Sequence, residues 1–223
     1  MSPSALIRAS GLATIVGGTL FALFPLLHPE HDAAGYTSAM WVPAHMLPNV
    51  GAILILFGLV GLLARQLERA GLFGVIAFVV AFIGTASFVM GAMIEAFIIP
   101  FMGLQTPEMM DGPPPPGVGE AFMVITLLFG VGYVLLGLAT YRARVLPRNV
   151  GGLLVVGALA NLVLPKLGAV APSLDALWVV GFVLFGAAIA WLGYSLWSGT
   201  PDRDAVPRTE RRQASAQLAA ELR

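Results

Sequence analysis

The sequence predicts an all-α fold, a polytopic membrane protein built as a bundle of six transmembrane helices, and three observations lead there. Of its 223 residues 58% are hydrophobic and only 11% charged, against about 25% charged in soluble domains. Six apolar stretches each reach the roughly 20 residues a helix needs to cross a hydrocarbon core about 30 Å thick. The basic residues fall into alternate connections between those stretches.

The first span lies near residues 9 to 28, behind Arg8. Its position suggests a secretory signal, with Asp32-Ala33-Ala34-Gly35 offering small residues for cleavage, but the apolar run is too long for a signal core and ends in Phe24-Pro25-Leu26-Leu27-His28-Pro29. It is read as a retained helix with Thr14, Gly17, Phe21, Pro25 and His28 on one stripe. Lipid offers no hydrogen bonds, so such small and polar stripes belong to helix–helix contacts. The second span, near 43 to 64, carries His45, Asn49 and Ala52 on its stripe. The third, near 71 to 100, is long enough to tilt and aligns Gly84, Gly91 and Glu95.

The fourth span runs near 120 to 141 and the fifth near 149 to 168, the latter aligning Gly157, Asn161, Pro165 and Gly168. The sixth covers about 174 to 197, with Ser173 and Asp175 expected to cap its first turn. Leu56-Phe57-Gly58, Leu128-Phe129-Gly130 and Leu184-Phe185-Gly186 form a weak repeat in the even spans. Residues 1–199 thus make one transmembrane domain. Beyond Thr200 the composition turns polar, and residues 200–223 read as a cytoplasmic tail, a short helix or disordered, held near anionic lipid by its arginines.

Orientation follows from the basic residues. Arg8, Arg65, Arg69, Arg142, Arg144, Arg148 and the tail arginines share one side, and Lys166 stands alone on the other. Cytoplasmic loops retain Lys and Arg, so both termini are expected in the cytoplasm and the protein in the plasma (inner) membrane. The outer connections carry Glu30, His31, Asp32, Glu108 and Asp111 and the run Pro113 to Pro116.

Composition also excludes chemistry. With 12 basic and 12 acidic residues nothing points to nucleic acid. The absence of cysteine removes disulfides, thiolate metal sites and thiol nucleophiles. No phosphate-cradling glycine loop or nucleophile elbow occurs.

What remains is a set of polar residues in costly places. Glu95 sits within Met93-Ile94-Glu95-Ala96-Phe97, where an ionised carboxylate is expensive and marks function by default. His28, His31 and His45 are the only histidines and all fall toward the outer side. A ligand-binding site of His28, His45, Asn49 and Glu95 is expected, with Asn49 orienting His45 from one turn below. His28, His45 and Glu95 suit a transition-metal ion, zinc or copper. Met40, Met46, Met90, Met93, Met102, Met109, Met110 and Met123 also lie toward the outer face, which suits copper(I) but suits helix contacts better. A haem would need two axial ligands on facing helices, such as His45 with His28; two layers of paired histidines are absent.

Three functional expectations follow: an outward-facing site near the membrane boundary that binds a metal ion, proton or small solute; an accessory or scaffold subunit whose polar residues tie helices together; or a membrane-embedded enzyme, for which Ser87 and His45 offer a nucleophile and base without an oxyanion motif. The expected partners are the lipid bilayer and further subunits, in a homo-oligomer or a larger membrane complex.

Overall fold

The structure, a computed structural model, describes residues 2–106, 116–174 and 176–199. They form helices α1 (Pro3–Leu27), α2 (Ala33–Tyr36), α3 (Trp41–Gln105), α4 (Val118–Ala143), α5 (Arg148–Val170) and α6 (Leu177–Ser198), with a 3-10 turn at Pro172–Leu174 and no strand among the described residues. All but α2 are long and apolar enough to cross a membrane.

Local chemistry sets the ends. Ser2 caps α1 by accepting from the Ala5 amide at 3.2 Å, with Pro3 in the first turn. Pro29 stops α1, because the residue before a proline is driven out of helical geometry, and His28 is accordingly extended (φ −75°, ψ 123°). Glu120 reaches back to the Gly117 amide at 2.9 Å to open α4, and Arg144 closes it in the left-handed region (φ 55°). Helix α5 follows Pro147 and no side chain caps it.

Helix α3 is one run of 65 residues interrupted by a single non-helical residue, Gly71 (φ 57°, ψ −155°), a conformation open in practice only to glycine. The chain reverses there, so α3 is two arms, residues 41–70 and 72–105, lying antiparallel. Two side chains tie them: Trp41 Nε1 donates to the Glu95 carbonyl at 3.1 Å, and Asn49 Nδ2 to the Val89 carbonyl at 3.0 Å. Residues 65–70, read from sequence as connection, are helical too, because Gly71 alone makes the turn.

Each helix packs antiparallel on its neighbour in chain order, and α6 returns to α1 to close a ring. Glycines set the close approaches. Gly17 lies on Gly51, Gly18 on Gly186, Gly11 on Gly193 and Gly137 on Gly151, and a Cβ on either partner would stand 2.5–2.8 Å from the other's carbonyl oxygen. Backbones meet where no side chain intervenes.

Rings fill the middle of the bundle. Phe21, Phe129, Tyr133 and Phe185 are buried and pack with centroids 4.9–5.9 Å apart. Tyr133 donates to Thr85 Oγ1 at 2.8 Å, since the Thr85 hydroxyl itself donates to the Ala81 carbonyl. The three Leu-Phe-Gly triplets are not equivalent: Phe129 and Phe185 enter this core, whereas Phe57 lies on the outer surface, 61% exposed. Ser173 sits in the 3-10 turn, and Ala176 rather than Ser173 precedes α6, without a side-chain cap. Asp175, the loop around Glu108 and Asp111, and the tail from Thr200 lie outside the described residues.

The antiparallel order gathers Arg8, Arg65, Arg69, Arg142, Arg144 and Arg148 at one end of the ring. The opposite end holds the three histidines, Glu95, Glu120 and Lys166.

Candidate functional site

The histidine end is organised by Trp41 and Pro29. Trp41 and His45 lie one turn apart on the same buried face of α3, and Pro29 leaves His28 extended where α1 ends, so its ring turns toward that face. The His28 and His45 Nε2 atoms stand 3.1 Å apart.

Hydrogen-bond chemistry fixes the roles in this pair. His45 Nδ1 lies 2.8 Å from the Trp41 carbonyl, and a carbonyl can only accept, so Nδ1 carries the proton and Nε2 presents a lone pair. With both rings neutral, His28 Nε2 is then the donor. Rings enclose the pair: Phe24 at 5.0 Å from His28 and 5.6 Å from His45, Trp178 at 5.6 Å from His28, and Trp41 at 4.5 Å from His45.

The segment after α1 folds over the pair as a roof. His31 stacks on His28 at 4.8 Å with 29° between planes, and Tyr36 meets Trp41 edge-on at 5.0 Å. The Tyr36 ring also lies directly over the backbone of Gly103. Asp32 caps α2 by accepting from the Gly35 amide at 2.7 Å. Burial lowers the His31 pKa, partly opposed by the charge of Glu30. Burial raises that of Tyr36, followed by the charges of Glu95 and Asp32.

Of the residues expected here, His28 and His45 meet directly. Asn49 does not touch His45; its amide bonds the Val89 carbonyl of the other arm, and the Trp41 carbonyl orients His45 instead. Glu95 contributes its backbone carbonyl to Trp41, while its carboxylate acts on Tyr36 at the roof. Among the described residues no three His, Asp or Glu side chains converge as metal ligands. The histidine pair alone has a suitable spacing: two nitrogens bound to zinc at about 2.05 Å in a tetrahedron stand roughly 3.3 Å apart. Met40, Met90, Met93 and Met123 lie on the outer surface.

Trp41, Trp178 and Tyr36 were not singled out by sequence. For Trp41 a signal existed, since four residues before His45 places it on the same helix face. For Trp178 and Tyr36 none did, because their part depends on how α6 and the roof dock.

Comparison with family models, with curated proteins and with solved structures yields no match to this chain.

Proposed function

We propose that the protein is a six-span inner-membrane protein with both termini in the cytoplasm, whose outward-facing site holds one positive centre, a proton or a transition-metal ion such as zinc or copper, between His28 and His45. The observation carrying this is the 3.1 Å Nε2–Nε2 separation. Two lone pairs cannot share that distance without an electrophile between them. Either His28 places its own N–H there, or that one proton moves to His28 Nδ1 and a cation takes its place between the two Nε2 lone pairs.

One contact suits a cation against the burial that opposes charge here: His45 Nδ1, donating to the Trp41 carbonyl, makes Nε2 more basic, as outer-shell acceptors do for metal-bound histidines. Six spans follow from taking the two arms of α3 as separate crossings, and the arginine end faces the cytoplasm by the bias of basic residues. Binding is favoured over passage, because the rings of Phe21, Phe129, Tyr133 and Phe185 fill the bundle beneath the site.

A second reading, a scaffold subunit of a membrane complex, draws on the Trp41–Glu95 and Asn49–Val89 bonds, which spend polar groups on tying helix arms together.

The test is metal content by plasma mass spectrometry on the full chain purified in mild detergent without chelator, beside His45→Ala. Near-stoichiometric metal lost in the variant assigns a metal ion. Background metal in both, with a pH-dependent imidazole ¹⁵N signal of His45 that changes in His28→Ala, assigns a shared proton. Background metal with no such signal removes the binding reading and leaves the scaffold.

A further inference from the structure

At the arginine end, far from the histidine pair, the α4–α5 connection positions three guanidinium-bearing residues, Arg142, Arg144 and Arg148, within seven positions of chain. Arg142 lies over the Phe73 ring at 5.3 Å, and Arg148 over the Tyr141 ring at 5.5 Å. Between them Arg144 occupies the left-handed region with φ 55°, a conformation disfavoured for a side chain with a Cβ and held here because it closes α4. All three arginines are exposed. Among the described residues no carboxylate pairs with any of the three, and Glu68 is the only carboxylate placed at this end.

A guanidinium held near a ring by cation–π attraction still has N–H donors to spare, in a planar fork that matches two oxygens of a phosphate. That contact also restricts the side chain before any ligand arrives, so less freedom is lost on binding. Leu72, Leu138, Tyr141 and Leu153, close in sequence to these rings and arginines, are exposed. Phosphate recognition beside apolar flanks is the chemistry of an anionic phospholipid, its phosphodiester on the arginines and its acyl chains on the leucines.

We infer that the α4–α5 connection is a binding site for the headgroup of an anionic phospholipid, with the ring-held Arg142 and Arg148 as phosphate ligands and Arg144 as a third donor. The site is independent of what the histidine end binds. It differs from a general basic surface in requiring the planar guanidinium fork rather than charge alone.

The experiment is native mass spectrometry of the full chain released from mild detergent, with phosphatidylglycerol or phosphatidylcholine added at equal concentration. Wild type is expected to retain phosphatidylglycerol about thirtyfold or more over phosphatidylcholine, as befits two or three arginine contacts. The Arg142→Gln/Arg148→Gln variant loses this preference. The Arg142→Lys/Arg148→Lys variant keeps the charge and loses the planar fork, and is expected to retain less than half of it. Equal retention of both lipids by wild type, or full preference in the lysine variant, overturns the site. Inorganic phosphate assayed by thermal shift supplies the remaining arm: a stabilisation by millimolar phosphate that the glutamine variant loses, without any lipid preference, overturns the lipid assignment in favour of a soluble phosphate.

Discussion

Trp41 donates its indole N–H to the backbone carbonyl of Glu95 across the two arms of α3, so the residue most conspicuous in the sequence for its carboxylate ties the structure through its main chain. Glu95→Gln leaves that carbonyl in place and is expected to change the apparent melting temperature little. Trp41→Phe removes the donor, leaves the Glu95 carbonyl with its helical partner alone and frees the ring over His45. A loss of about 0.5–1.5 kcal/mol is expected. Thermal unfolding of both variants in one detergent checks the order, and a greater loss for Glu95→Gln would show that the carboxylate, not the main chain, holds the arms together.

The glycine contacts give a prediction with an internal control. Gly186 meets Gly18 and Ala22, with their backbone atoms 2.5 and 2.6 Å from where its Cβ would stand. Gly186→Ala therefore forces α1 and α6 apart, at a cost of about 1–3 kcal/mol. Gly152, on α5, has nothing within 4 Å of the same position, so Gly152→Ala stabilises by up to about 1 kcal/mol through helix propensity. Melting temperatures moving in opposite directions are the expected result; a neutral Gly186→Ala would mean that α1 and α6 are not packed this closely.

Acid is expected to loosen the roof. The folded-state pKa of His31 lies below its ordinary value of 6.5, burial being the largest cause and the charge of Glu30 opposing it. Between those two values the unfolded chain binds a proton that the folded chain refuses, so stability falls as pH drops through the window and levels off beneath it. His31→Gln removes this contribution and flattens the curve of melting temperature between about pH 7 and 5. An unaltered slope in the variant would remove His31 from the account.

Much of the helical architecture was legible because its signals are local. Apolar runs of sufficient length, Pro29 after His28 and the small-residue stripes all act within a few turns of chain, and Thr14, Gly17, Phe21 and Pro25 are buried together as that stripe implied. The candidate site was legible only in part. His28 and His45 could be paired because both lie on inward stripes near one boundary. Asn49 and Glu95 share those stripes, but what each touches depends on how far one arm slides and rotates against the other, a quantity fixed by Gly71 and by bonds such as Asn49 to Val89. The Leu-Phe-Gly triplets, of residues common in any membrane helix, mark no structural repeat: equal depth does not mean equal rotation, and Phe57 faces away from the core that Phe129 and Phe185 enter.

The break at Gly71 makes α3 a pair of tweezers forged from one rod. With a single residue at the bend there is no slack in the connection, so the arms cannot slide past one another and can only spread at their tips. The tips are where Trp41 grips Glu95 and where Tyr36 rests on Gly103. Any spreading force applied at the histidine end therefore acts with a lever arm of roughly 30 residues, about 45 Å at helical rise, and bears first on the Trp41–Glu95 bond and the Tyr36–Gly103 contact.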